Sequence, residues 1–237
     1  IMNFSFRRVN AIFHKDFKDI SRNSAVSVTA IMPLILAFIY GKMGDTATID
    51  AHYMVINLTL VIVAAYVQCS LIAEEKEKNT LRGLMLSPAS TLEILGGKSL
   101  LSFLATMIVI AMGAYLSGYR PENLLIIVAA IMLSSFFFIG LGTLLGLLAK
   151  SVMEASVIIL PFAFIFSFGG MYKAFEGTYP ILKVMNYTPN MQLMEIALKV
   201  ANGAGLIDLW SHFGIITVWV VVIFIFATVV FHKRMKS

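Results

Sequence analysis

Six stretches of the chain run for about the length of a bilayer crossing without an Asp, Glu, Lys or Arg: residues 24–40, 53–73, 99–119, 123–149, 155–172 and 213–231. A hydrocarbon core about 30 Å thick needs about 20 mostly apolar residues in helical form. A charge at its centre costs at least about 2.5–3.5 kcal/mol, so unbroken uncharged runs are what lipid demands. None of the six alternates apolar and polar positions at every second residue, as a membrane β-strand would. The pattern predicts an all-α, polytopic membrane protein: one transmembrane domain over residues 1–237 with six membrane-spanning helices. Pro33 lies in the first run and Pro161 in the fifth, and each predicts a kink, because proline removes a backbone donor and crowds the preceding turn.

The segments between the runs carry their own patterns. Over residues 3–22, Phe6, Val9, Phe13, Phe17 and Ile20 recur at helical spacing and line one face, with Arg7, Arg8, Lys15 and Lys18 elsewhere. This predicts a helix lying in the membrane interface rather than a cleavable signal; packing on a partner protein is the rival reading, and both can hold together. Residues 74–98 are the richest in charge. Glu74, Glu75 and Glu77 alternate with Lys76 and Lys78, then Leu81, Leu84 and Met85 form a short apolar face, and Ser87-Pro88 ends it. A solvated loop needs neither the face nor the stop, so the segment reads as a docking helix. Residues 173–212 are too long for a plain connection and contain a second short helix: Thr188 as cap, Pro189 at the first position, and Asn202-Gly203 at the end. It is too short to cross and is expected to lie on, or dip into, the outer leaflet.

Composition agrees: 59% of residues are hydrophobic and 13% charged, where a soluble domain carries about 25% charged. The net charge is +5, but the basic residues are scattered between the apolar runs, so nucleic acid is not an expected partner and lipid is. Of the 18 Lys and Arg, all but Lys42, Arg120, Lys173, Lys183 and Lys199 fall on the side of the two termini. Basic residues stay on the cytoplasmic side, so both termini are expected in the cytoplasm of a cell-membrane protein. The single cysteine, Cys69, excludes a disulfide within the chain.

Catalytic patterns fail on spacing. Gly97-Lys98-Ser99 ends like a phosphate-binding loop, but that loop needs a glycine five residues before Gly97, where Leu92 stands. The Glu74-Glu75 pair lacks the arginine that intramembrane CAAX-type proteases place four residues later; Asn79 is there. The four histidines, His14, His52, His212 and His232, are scattered and offer no metal-ligand set. No catalytic, cofactor or metal residue is expected in the chain. Gly140, Gly142 and Gly146 in the fourth run let another helix approach closely, in the same subunit or in a second one. Asn57, Thr59 and Gln68 in the second run either line a pathway or bond to neighbouring helices.

Together these parts resemble the permease subunit of type-2 ABC exporters, over almost the whole chain. In that family the cytoplasmic loop after the second span carries a coupling helix with a pattern close to E-x-E-x-G-T-L-x-x-L-x-x-S-P. Here it reads Glu75, Glu77, Asn79, Thr80, Leu81, Leu84, Ser87 and Pro88, with Asn79 in place of the glycine. Asparagine also tolerates left-handed backbone. The resemblance implies a separate cytoplasmic ABC ATPase that binds ATP and Mg, docking on Glu74, Glu75, Glu77, Thr80, Leu81, Leu84, Ser87 and Pro88. It implies a second permease subunit, identical or different, and a cargo exported from the cell. The uncharged runs favour an amphipathic or hydrophobic cargo, such as an antimicrobial or cytolytic peptide or a drug. The alternatives are an intramembrane enzyme and a non-transporting immunity or anchor protein.

Overall fold

The computed structural model describes residues 5–44, 48–80, 83, 90–168, 175 and 177–236, and among these every regular element is helical. In chain order they are α1 (Phe6–Arg22), α2 (Ser24–Thr29), α3 (Met32–Met43) and α4 (Ile49–Thr59). A π-helical segment (Leu60–Tyr66) joins α4 to α5 (Val67–Glu77). Then follow α6 (Thr91–Ser117), α7 (Leu124–Leu148), α8 (Val152–Ser167), a 3-10 segment (Pro180–Tyr187), α9 (Pro189–Ala201) and α10 (Leu206–Lys236).

Four helices are long and apolar enough to cross a membrane: Ile49–Glu77, Glu93–Ser117, Leu124–Leu148 and Leu206–Lys233. Two shorter apolar helices, Met32–Met43 and Val152–Ser167, accompany them. The chain is a multi-pass membrane protein. Pro33 breaks the first run outright. Its ring would crowd the carbonyl of Thr29, four residues earlier, and α2 ends at that residue, with Pro33 in the first turn of α3. Pro161 stays inside α8.

The helix over Ile49–Glu77 is the hub. Protein buries 89% of its most hydrophobic window but only 17% of that of α10. Neighbouring helices therefore solvate the first, and lipid solvates most of the second. Close packing against the hub depends on α7. A Cβ on Gly142 would stand 2.2 Å from the Ala65 carbonyl oxygen, and one on Gly146 would stand 2.7 Å from that of Cys69. A Cβ on Gly140 would meet Ile223 of α10 at 2.6 Å. The three glycines thus seat α7 between the hub and α10 within one subunit. Polar side chains pin the same contacts. Gln68 donates to Thr143 Oγ1 at 3.0 Å and accepts from Ser102 Oγ at 2.8 Å, tying α5 to α7 and α6. Tyr66 and Ser156 share a hydrogen bond of 2.9 Å between the π segment and α8. Each such bond is worth about 0.6–2 kcal/mol within a membrane.

The helix predicted after Pro189 is α9, followed by Gly203 at φ 82. One detail differs from the prediction. The Thr188 hydroxyl does not cap α9; it donates to the Met185 carbonyl of the 3-10 segment at 2.5 Å. The start of α9 packs against its neighbours, with Pro189 through Met194 all buried. The Tyr187 carbonyl just before it accepts from Trp219 Nε1 at 2.7 Å, about 20 Å along α10 from Leu206 at 1.5 Å per residue.

Gly142→Ala should lower the thermal stability of the detergent-solubilised protein by about 1–3 kcal/mol, the usual cost of overpacking. Gly96→Ala, where a Cβ meets nothing within 4 Å, should leave it unchanged or raise it by about 0.5–1 kcal/mol. Equal melting temperatures for the two variants would contradict the packing described.

Candidate functional site

The charged segment after the hub leaves the bundle at the end where α1 packs, and both of its roots are tied down there. At the first root, Lys98 of α6 is fully buried, with Asp16 of α1 at 1% exposure and Glu75 of α5 at 4%. The Lys98 ammonium donates to both Asp16 carboxylate oxygens and to Glu75 Oε1, each at 3.1 Å. Lys15 of α1 also binds Glu75 Oε1, and Thr80 donates to Glu75 Oε2. Two ammonium groups thus face two carboxylates, with Asp19 3.8 Å from Lys15 at the margin. Burial pushes the Asp16 carboxyl above its ordinary value, and Lys98 beside it offsets that only in part. For Lys15, burial works downward, but the Glu75 hydrogen bond and charge outweigh it and hold the ammonium above its ordinary value.

At the second root Ser90 and Glu93 form a reciprocal capping box at the start of α6: Glu93 N–H donates to Ser90 Oγ at 3.3 Å and Ser90 N–H to Glu93 Oε2 at 2.7 Å. The other Glu93 oxygen accepts from Arg8 Nη2 at 2.8 Å and from the Ser5 backbone at 2.5 Å. Helix α1 therefore holds both roots. It lies tightly against α6 because Gly97 has no side chain; a Cβ there would stand 2.9 Å from Ile12 Cβ. The Gly97-Lys98 pair that looked like part of a phosphate loop has a structural use here: a close crossing and a buried counter-charge.

Phe13 and Ile20 of the predicted apolar face of α1 pack in part against the core. Ile12 and Asp16 are the buried positions, while Phe6 is 81% exposed and Phe17 58%. Phe6 and Phe17 thus face outward, where the lipid of the expected interface can receive them.

The other predicted site residues are placed as follows. Glu74 is half-buried and pairs with Lys78 at 2.5 Å. Glu77 accepts from the Val152 backbone at 2.9 Å, at the start of α8. Lys76 between them donates to the Leu147 carbonyl at 2.7 Å and to that of Ala149, closing the end of α7. Asn79 has φ 55, the left-handed backbone that glycine or asparagine accepts. Leu81, Leu84, Ser87 and Pro88 lie outside the described residues. Thr59 is buried and bonds its own helix at Val55, and Gln68 is the interhelical tie described above. Asn57 lines a cavity near the opposite end of the hub. Asp16 and Glu93 were not singled out from the sequence; Arg8 and Lys15 were noted only among the basic residues of α1, and Lys98 only in the failed phosphate-loop pattern. Ser90-x-x-Glu93 was a readable capping box, whereas Lys98 and Asp16 sit 82 residues apart and carry no local signal.

The charges of the cluster are matched by one another, and a small recess of about 160 Å³ opens beside it among Lys15, Asp19, Glu74 and Lys78. The cluster's physical effect is positional, making α1, α5 and α6 one body at the loop. Lys98→Met should cost about 3–5 kcal/mol by removing the buried ammonium that Asp16 and Glu75 share, with only the half-exposed Lys15 left beside them. The triple variant Lys98→Met, Asp16→Asn, Glu75→Gln should recover most of that loss. Thermal unfolding of the two variants in nanodiscs checks this; a triple variant no more stable than the single one would contradict the pairing.

No curated protein matches the chain. Residues 21–229 match the family described as ABC-2 family transporter protein. That stretch covers all the membrane helices and the charged segment between α5 and α6, and the chain belongs to the ABC-2 type transporter permease family.

Proposed function

We propose that the chain is the permease subunit of an ATP-driven exporter. It has six spans, counting α2–α3 and α8 as the first and fifth, with both termini in the cytoplasm of a cell-membrane protein. A separate ABC ATPase docks on the segment from Glu74 to Pro88 and on α1, and a second permease subunit completes the transporter. The observation that carries this reading is the rigid root. The docking segment is held at Glu75 by Lys15 and at Glu93 by Arg8, both of α1, and it continues directly into the most buried helix of the bundle. A push delivered there cannot be absorbed by loose side chains; it has to move the hub.

The cargo is amphipathic or hydrophobic, in the class of a membrane-active peptide or a drug. An open groove of about 480 Å³ supports this. It runs between α3, the π segment and α8, with Met32, Val61, Ile62, Leu160 and Phe164 on its walls and Thr29, Tyr66, Ser156 and Ser167 as its few polar groups. Glu75 acts from inside in this scheme, as the joint behind the docking face, while Leu81 and Leu84 supply the apolar contact.

Affinity purification of the tagged chain from its native membrane should bring down an ATP-hydrolysing subunit and stimulate its turnover. Leu81→Asp with Leu84→Asp should reduce that stimulation about tenfold or more, the usual loss when central apolar contacts are replaced, without changing the permease's melting temperature. A chain that transports cargo without any ATPase would contradict the proposal, as would full stimulation by the double variant.

A further inference from the structure

At the opposite end of the bundle from α1, a cavity of about 340 Å³ opens between the end of α3, the start of α4, the end of α8 and α9. Its walls include Tyr40, Asp50, Met54, Asn57, Ser167 and Met194. Asn57 and Ser167 are each 3% exposed, and Asn57 Oδ1 and Ser167 Oγ have no hydrogen-bond partner. Asn190 Oδ1 is also buried and unpartnered. It sits beside this wall: its Nδ2 donates to the Phe166 carbonyl at 3.0 Å, and Met194 follows it by one turn on the same face of α9. Buried polar atoms are nearly always satisfied in native folds, so three orphans gathered around one cavity need a common explanation.

The chemistry of the wall has a sign. Asp50 is exposed at the rim, in the first turn of α4. The Tyr40 hydroxyl donates to Met54 Sδ at 3.4 Å, which leaves its oxygen free to accept. Among the described residues no basic side chain lines the cavity. Lys42, two positions on from Tyr40, is held over the Phe38 ring at 5.1 Å. Oxygen acceptors and one carboxylate, without a cationic donor, suit a ligand that brings positive charge and N–H groups. The volume lies within the range that holds small ligands, about 300–1,000 Å³. Asp50 and Asn57 are two turns apart, about 10 Å along the helix, so a ligand reaching both is an elongated or bulky one.

We infer that this cavity binds organic cations, an ammonium or guanidinium carried on an apolar body, with Asp50 supplying the charge and Asn57 and Ser167 accepting the hydrogen bonds. The assignment takes its use from the permease reading, as the class of cargo handled at the end of the path away from the ATPase. Cation binding itself needs no ATPase.

The test uses the purified full chain in nanodiscs, without nucleotide, and three fluorescent probes: ethidium as the apolar cation, anilinonaphthalene sulfonate as the anion and Nile red as the neutral control. Empty nanodiscs set the lipid background. Ethidium should bind in preference to the sulfonate, and its affinity should fall about tenfold in Asn57→Leu and in Asp50→Asn, with Nile red unchanged. Because Asp50 is exposed, Asp50→Asn keeps the fold and decides the matter if Asn57→Leu does not fold. Equal ethidium affinity in the wild type and Asp50→Asn, or tighter binding of the sulfonate, overturns the inference. A chain that binds ethidium through Asp50 yet recruits no ATPase would overturn the export reading and leave this site standing.

Discussion

One buried ammonium, that of Lys98, determines how the end of this bundle is built. It sits between a carboxylate from α1 and one from α5, with no access to solvent. Desolvating three charges is expensive, and an apolar trio of similar size is often as stable or more so. An ion cluster in that position contributes definition instead: an apolar contact can slide, whereas Asp16 moved off Lys98 keeps only Lys15, 3.9 Å away, as a counter-charge. The cluster therefore selects one register of α1 against α6. Gly97 then allows the close approach, and Arg8 on the same helix reaches Glu93 at the other root of the charged segment. The same pairing holds Asp16 inward while Phe6 and Phe17 stay exposed.

From that end the structure continues into its most buried element. The helix over Ile49–Glu77 is enclosed by protein nearly all round, and its neighbours approach to backbone distance through Gly142 and Gly146. Such packing has few continuous adjustments; a displacement at Glu75 is passed along the helix or not made at all. The π segment Leu60–Tyr66 is the irregular stretch within it, and Tyr66 carries the bond to Ser156 of α8. Irregular turns of this kind commonly occur at functional positions in helices. Here it lies on the wall of the open apolar groove.

The parts of this architecture written locally in the sequence were legible. Charge-free runs gave helices, Pro33 gave the interruption, and Pro189 with Gly203 bracketed the short helix before the last one. Asn79 stands where glycine is usual in the coupling pattern, and its positive φ explains why either residue serves. What was not legible depends on distance along the chain. Nothing near Asp16 says that Lys98 will face it, although the phenylalanines of α1 were legible as a set for the interface, where Phe6 and Phe17 are exposed. The π segment leaves no mark among Leu, Val, Ile and Ala residues that suit an α-helix equally well. The polarity of Asn57, Thr59 and Gln68 was visible, but only the packing separates Thr59 and Gln68, whose bonds are internal, from Asn57, whose carbonyl oxygen has no partner.

The central claim is that α1 and the root of the charged segment move as one body relative to the periphery of the bundle. Spin labels at His14, Lys78 and His232, all exposed, in a Cys69→Ala background, measure it by pulsed electron–electron distance spectroscopy on the complex with its ATPase, with and without ATP. The account predicts that the distance between labels 14 and 78 stays fixed while the distance from each to label 232 shifts together. A change between 14 and 78 on adding ATP, with 14 to 232 unchanged, would contradict it.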